Sequence, residues 1–524
     1  MRAAPRLAMV FALAASTAGL AGQFARPSAA AVSNNIVVVS NTSDLVNGDV
    51  SSVSALNEHP GPDGISLREA LTAANATTGT QTIDVMFSHA MNGRTIELRS
   101  PLPPIRRNHL VLEGIAPNDS TATVTIDGRY VRGVGNTYMP RDGGEYALLV
   151  VEASEVTVRG LRLTGVNPGP GNPPGWATAM AVGPGYEITP GGSPGPSTVA
   201  NVQVEDDAFD ESGFTFPFVG SSANGLIVGS SGLLTGTRTH LGNVTIAGNS
   251  FVHYTGDADA LGVAGTPGET NSAFTIEDNT FDQDMIAIEP GGGERIIGNT
   301  ITSTIPRSSG ISLDTGLPHT VINDTLIEDN TIALADGSAI GIGAGSRHVG
   351  GDVISNTQIV NDVISAGQSS HGDAGIYIDG GDFTTSSPSR VAGVTIENDT
   401  LVTEGTGNLL NLIPNGTGAS GNKITGVIIR NTILWDPNGY PISTGNQPVV
   451  NQAPDVVMNS LISGPSWSGS NGNVNANPQF VNEAAADYRL AAGSPAIGAG
   501  TTVGAPSQNI DGAPRSSPPN IGAY

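Results

Sequence analysis

The feature that most constrains this chain is a hexapeptide that it writes repeatedly. Ile327-Glu328-Asp329-Asn330-Thr331-Ile332 is nearly duplicated by Ile276-Glu277-Asp278-Asn279-Thr280-Phe281. Looser copies place an Asn or Asp at Asp207, Asn249, Asn279, Asn299, Asn330, Asp362, Asp399 and Asn431, each with Val or Ile three residues earlier. The steps between copies are 42, 30, 20, 31, 32, 37 and 32 residues. A unit of this size is one turn of a repeat architecture, in which each turn buries its apolar face only against its neighbours.

A second alternation sits inside most repeats. Met285–Glu289, Gly310–Asp314, Ala339–Gly343 and Gly375–Asp379 each alternate apolar with small or polar residues. That is the period of a half-buried strand. Gly, Asn, Asp, Ser and Pro fill the intervals, and no helical period crosses the region. Short strands, tight turns and a variable step near 30 residues predict an all-β parallel β-helix. Its coils stack at about 4.8 Å, so equivalent residues form columns. An Asn column in such a stack can bond from coil to coil, which gives these residues a structural role.

One clear helix is predicted. Ser66-Leu67-Arg68-Glu69 is a capping box, and Leu67, Ala70, Leu71 and Ala74 fall on one face. A β-helix exposes its core at each end, and a short amphipathic helix can cover one. The surrounding segment, Ile65-Ser66-Leu67-Arg68-Glu69-Ala70-Leu71-Thr72-Ala73-Ala74-Asn75, resembles the "CSLREA" motif of secreted bacterial β-helix proteins, with Ile65 where that motif has Cys. The strands that follow at 82–85, 95–98 and 124–128 fit the same family, and 156–163 reads as a further coil strand. Near the end, Asn477-Pro478-Gln479-Phe480-Val481, Asp487-Tyr488-Arg489-Leu490, the run 493–500, Asp511–Arg515 and Asn520–Tyr524 resemble, in order and spacing, the "choice-of-anchor Q" region of such proteins. The resemblance implies a single right-handed parallel β-helix of the pectate-lyase-like type. It does not imply one activity, because a fold alone does not fix function. Members often carry an anchor beyond this region, so a chain ending at Tyr524 implies release or non-covalent attachment.

The predicted organisation is a signal peptide at 1–31, an N-terminal cap and first coils at 32–115, β-helix repeats at 116–445 and the C-terminal region at 446–524. Arg2 and Arg6 precede an apolar run, Leu7 to Leu20, and small residues follow at 28–31, as in secretory signals. The expected location is extracellular, and no later run is long enough to span a membrane. Removing the signal lowers the basic residues from 22 to 19 against 47 acidic, a net charge of about −28. That argues against nucleic acid, whose phosphates would be repelled, and is compatible with divalent cations and neutral glycans. With no Cys there are no disulfides, so stability must come from stacking.

Aligning the second strands places Ala287/Glu289, Ser312/Asp314, Gly341/Gly343, Tyr377/Asp379 and Asn411/Ile413 outward on successive coils. Glu289 and Asp314 become neighbours and a possible Ca²⁺ pair; Asp379 lies two coils beyond Asp314. Arg295, His319 and Arg347-His348 follow on the same coils, so an acidic column is predicted beside a basic one. A lyase would use the carboxylates to hold Ca²⁺ and an Arg or His to remove a proton. A glycosidase would use two carboxylates as acid and base. The candidate catalytic residues are Asp314, Asp379, His319 and Arg347, and the candidate substrate contacts are Tyr377, Asn411 and Trp176. The same charges also read as solvated turns on an Asp-rich surface. Trp176 and Tyr186 lie in a Gly/Pro-rich stretch, Asn167 to Pro196, that reads as one long loop; Phe214, Phe216 and Phe218 form a second aromatic group. Ser370-His371-Gly372-Asp373 faintly resembles the Ser/Gly-His-Gly of polygalacturonases, but their paired Asp block is missing upstream, so that catalytic set is not carried over. The functional expectation is a secreted, non-catalytic surface or adhesion protein that binds extracellular polysaccharide, needing no cofactor. The alternative is a lyase or hydrolase acting on a uronate-containing polymer. The sequence leaves the oligomeric state open.

Overall fold

The computed structural model describes residues 35–114, 124–131, 146–166, 176–183, 198–211, 222–229, 240–253, 260–263, 270–283, 286–288, 293–305, 308–315, 321–344, 351–367, 374–380, 388–403, 408–413, 423–438, 441–443, 454–464 and 469–524. The signal-peptide expectation lies outside them, as do Phe214, Phe216 and Phe218 and the Ser370–Asp373 stretch.

Among the described residues three long parallel sheets, of 15, 12 and 9 strands, run along the stack, and a repeat such as 240–263 gives one strand to each. This is a right-handed parallel β-helix. The core is a continuous column of Val, Ile, Leu and Phe pointing inward from all three sheets. Phe209, Phe251 and Phe281 stack on consecutive coils with ring centroids 4.7 Å apart and rings nearly parallel. That distance is the coil spacing itself, so equivalent aromatic residues meet face to face.

The predicted Asn/Asp column is a buried hydrogen-bond ladder at the corner between the 15- and 12-stranded sheets. Each side-chain oxygen accepts from the backbone N–H of the preceding coil. Asp207 N–H donates to Asn249 Oδ1 at 2.9 Å, Asn249 to Asn279, Asn279 to Asn299, Asn299 to Asn330, Asn330 to Asp362 and Asp362 to Asp399. Each Asn also gives Nδ2 to the carbonyl of the strand below, as Asn330 does to Ile296 at 2.9 Å. A corner that buries backbone polar groups must satisfy them, and the ladder does so with its own side chains.

The column departs from the prediction at one coil. Ile429, not Ile428, pairs with Ile396 and is buried, so Asp399 is followed by Thr432 and then Ser460. The Ile428-Ile429 doublet makes the inward residue ambiguous in sequence, and the turn is one residue later than the hexapeptide pattern implies. Asn431 instead joins the adjacent left-handed column, with Asp206, Asp278, Asp329, Asn361 and Asn398, all at φ between 53° and 63°. Asn and Asp tolerate that conformation better than other side chains.

Three other expectations change. Residues 156–163 form two strands, Val156–Arg159 and Leu161–Thr164, on different sheets, with Gly160 at φ 71° making the corner. The 167–196 stretch is not one loop, because Trp176–Val182 is a full strand of the nine-stranded sheet. The N-terminal cap holds two helices, Val53–Glu58 as well as Leu67–Ala76. Among the described residues no helix is long and apolar enough to cross a membrane.

The C-terminal region is a tail that folds back along the stack. It opens with an antiparallel hairpin, Phe480–Asn482 against Asp487–Leu490. On the outer face of the 12-stranded sheet the paired column reads Ser250, Thr280, Thr300, Thr331 and then Val363, Thr400, Ile433, Leu461. Apart from Thr400, whose Oγ1 accepts from Ala523 N–H, the change to apolar residues coincides with the tail: Val363 and Val402 pack with Tyr488 and Ala523, and Ile433 and Leu461 with Ala496 and Ile521. Asn361, Asn398 and Asn431 donate to tail carbonyls at Gln508, Asn520 and Thr501. The same columns thus serve the coil and the tail.

Candidate functional site

The outward face of the nine-stranded sheet carries the sequence-derived site. The strands Ser308–Asp314, Gly337–Gly343, Ala374–Asp379 and Asn408–Ile413 stack in sequence. Ser312 pairs with Gly341, Gly341 with Tyr377 and Tyr377 with Asn411; Asp314 pairs with Gly343 and Gly343 with Asp379. The inward partners, Ile311, Leu313, Ile340, Ile342, Ile376 and Ile378, are fully buried. The alternation therefore fixes which side chains can face outward, and a one-residue slip would put them in the core.

Gly341 and Gly343 make the middle coil a slot. Among the described residues, a Cβ at Gly341 would meet nothing closer than Ser312 Oγ at 3.8 Å, and one at Gly343 nothing closer than Asp314 Oδ1 at 3.7 Å. Ser312 and Asp314 form one wall, Tyr377 and Asp379 the other. The walls are two coil spacings apart, about 9–10 Å. Tyr377 Oη lies 3.4 Å from Asp379 Oδ2, a weak contact that aligns the phenol with the carboxylate. Asp314 Oδ1 is shielded from solvent and has no hydrogen-bond partner. That oxygen lies at the foot of the wall, 3.7 Å from where a Cβ at Gly343 would stand.

The remaining site residues fall differently. Asn411 is on the same column but only 6% exposed, so its amide is largely covered and the open part of the face ends at Tyr377. Trp176 begins a strand of the same sheet, four strands before Ser308–Asp314 in stacking order. Arg295 is exposed on the 15-stranded sheet, paired with Thr275 and Leu326, and is not in the outward column of Asp314. Its strand opens the next turn of the coil, which is why nearness in sequence misplaced it. Glu289, His319, Arg347 and His348 lie outside the described residues. Among those described, no group of three or more potential metal ligands is gathered.

Sequence reasoning missed the buried acids of the interior. Glu294 occupies a core column between Phe274 and Thr325, fully buried, and burial pushes its carboxyl up to about 7 despite a 3.0 Å hydrogen bond from Thr325 Oγ1. Glu211 closes a turn, accepts from Val166 N–H at 2.9 Å and is pushed up to about 8, again by burial. A single charged residue in an apolar column leaves little trace in a periodicity.

No family model matches the chain, and no curated protein matches it. Among solved structures, pectate lyase Pel9A is similar at 14% identity and a TM-score of 0.40, with 93% of this chain and 96% of that one covered. The tailspike protein of E. coli bacteriophage HK620, in complex with a pentasaccharide, is similar at 11% identity and a TM-score of 0.39, covering 78% and 73%. The Streptococcus pneumoniae surface protein and adhesin PfbA is similar at 12% identity and a TM-score of 0.30, covering 73% and 98%. At these identities and scores the likenesses bear on neither activity nor substrate.

Proposed function

We propose that this is a secreted, non-catalytic protein that binds extracellular polysaccharide in the slot over Gly341 and Gly343. The observation that carries the reading is the slot itself. A two-glycine floor between Ser312/Asp314 and Tyr377/Asp379 leaves a gap one sugar ring wide on an otherwise regular sheet. Its walls offer a hydroxyl, a phenol and two carboxylates, groups that exchange hydrogen bonds with ring hydroxyls. Tyr377 adds an amphipathic ring that can lie against a sugar face. The acidic chain favours neutral or cation-bridged glycans over nucleic acid.

A catalytic reading rests on the carboxylate separation. Asp314 and Asp379 stand two coils apart, near the range in which inverting glycosidases place a water between acid and base. In the lyase version Ca²⁺ would sit at Asp314 with Glu289, and His319 or Arg347 would take the proton.

A glycan panel scored for both binding and products separates the readings. Binding without cleavage, weakened roughly tenfold by Tyr377→Ala, supports the first. Products that disappear in Asp314→Asn and Asp379→Asn establish the second. A panel with neither binding nor products overturns both.

A further inference from the structure

The CSLREA-like segment does more than cap the helix, and its geometry leads to a second site. Glu69 is 1% exposed, and its Oε1 accepts from Asn47 N–H and Gly48 N–H at 2.7 and 2.8 Å. Its Oε2 accepts from Ser66 N–H at 2.8 Å. Arg68 donates Nε to Asp44 Oδ1 at 2.8 Å, Nη1 to Pro101 O at 2.8 Å and Nη2 to Ser100 O at 2.9 Å. Asp44 Oδ2 accepts from Arg99 N–H at 2.8 Å. Two charged side chains of one motif thus pin the 41–48 loop against the end of the first coil. Between loop and coil lies a cleft of about 410 Å³, lined by Thr42, Asp44, Thr95, Glu97, Arg99 and Ser100 among others. Its volume is in the range of small-ligand sites.

Asp44 is spent on Arg68 and the Arg99 backbone, which leaves Glu97 and the Arg99 side chain as the charged groups open to the cleft. Glu97 and Arg99 are both exposed; Glu97 feels the charge of Arg129, whose own ion-pair partner is Asp127. Arg99 is nonetheless held: its Cζ lies 4.3 Å from the centroid of the Tyr130 ring, which orients the guanidinium plane. Glu97 ends the strand Thr95–Glu97, and Arg99 follows two residues later in a bend; both line the cleft. A stacked guanidinium is a bidentate carboxylate receptor, and a free carboxylate accepts from hydroxyls. A uronic acid residue carries both a carboxylate and ring hydroxyls, one partner for each of these groups.

We infer that the cleft between the 41–48 loop and the first coil binds a uronic acid residue, its carboxylate on Arg99 and its hydroxyls on Glu97. The inference is independent of the slot over Gly341 and Gly343, which is on another sheet.

The test is calorimetric titration of the full mature chain with methyl β-glucuronide and methyl α-galacturonide, with methyl β-glucoside as the neutral control. At least one uronide is expected to bind, and the glucoside to bind at least tenfold more weakly. Arg99→Gln and Glu97→Gln, both at exposed positions, are expected to weaken the uronide roughly tenfold or more without moving the melting temperature. Tyr377→Ala is expected to leave the titration unchanged, which keeps the two sites distinguishable. No uronide binding at millimolar concentration, equal binding of the glucoside, or full binding by Arg99→Gln would each overturn the assignment.

Discussion

Asn330 gives its side-chain amide to Asp362 Oδ1 at 2.9 Å, while Asp362 Oδ2, equally buried, finds no partner. In the preceding coils that second position is an Asn nitrogen donating to the strand below. A protonated Asp362 restores a donor there. Burial pushes Asp362 up to about 8, and Asp399, next in the column and facing it, well above the ordinary carboxylate range.

The folded state therefore holds protons that the unfolded chain releases near pH 4. Stability from these groups is greatest below about pH 4 and falls as the pH rises towards about 8. Asp362→Asn supplies the donor without a proton. It is expected to raise the melting temperature at pH 8, by the equivalent of about 1–3 kcal/mol, and to change it much less at pH 4. Thermal melts of both proteins across that range check the sign.

Asn330→Leu is expected to do the opposite. Its Oδ1 accepts from both N–H and Nδ2 of Asn299, and its Nδ2 serves Ile296 O and Asp362. Removing it strands buried partners on both neighbouring coils, at a cost of about 1–3 kcal/mol. Glycan binding by the molecules that remain folded is expected to persist. Unchanged melting with lost binding would make the column a site.

Much of this scaffold was legible because a stacked fold repeats its chemistry. Asn330 and Asn279 announce the ladder, and the Ile311, Ile340 and Ile376 alternation fixes the register that sets Gly343 between Asp314 and Asp379. What could not be read depends on contacts across long sequence separations. Asn361 meets Gln508, and Asn431 meets Thr501, through tail residues with no periodicity to mark them. The exposed ladder of Asn201 and Asn243, bonded at 2.6 Å, was missed because its residues lie in loosely patterned strand starts. Arg295 was misplaced because sequence proximity does not say on which side of a coil a residue turns.

The tail depends on a close approach at Gly522. It sits at φ 99°, donates its N–H to Asn431 O, and a Cβ there would come within 2.8 Å of Thr400 Oγ1 and Ile433 Cδ1. Gly522→Ala combines backbone strain with a clash against the coil. It is expected to loosen the tail selectively. Hydrogen exchange should rise in 477–524 and at Asn398 and Asn431, while the coils before residue 330 keep their protection.

The central claim is that the gap over Gly341 and Gly343 is where glycan binds, and filling that gap tests it most directly. Gly343→Leu fills the gap from a position where a Cβ stands 3.7 Å from Asp314 Oδ1, an ordinary contact that does not require the backbone to move. The measurement is the affinity of this variant for the glycan that binds the parent protein most tightly, alongside its melting temperature. The account expects affinity to fall roughly tenfold or more with melting unchanged. Undiminished affinity in a protein that melts like the parent would contradict it.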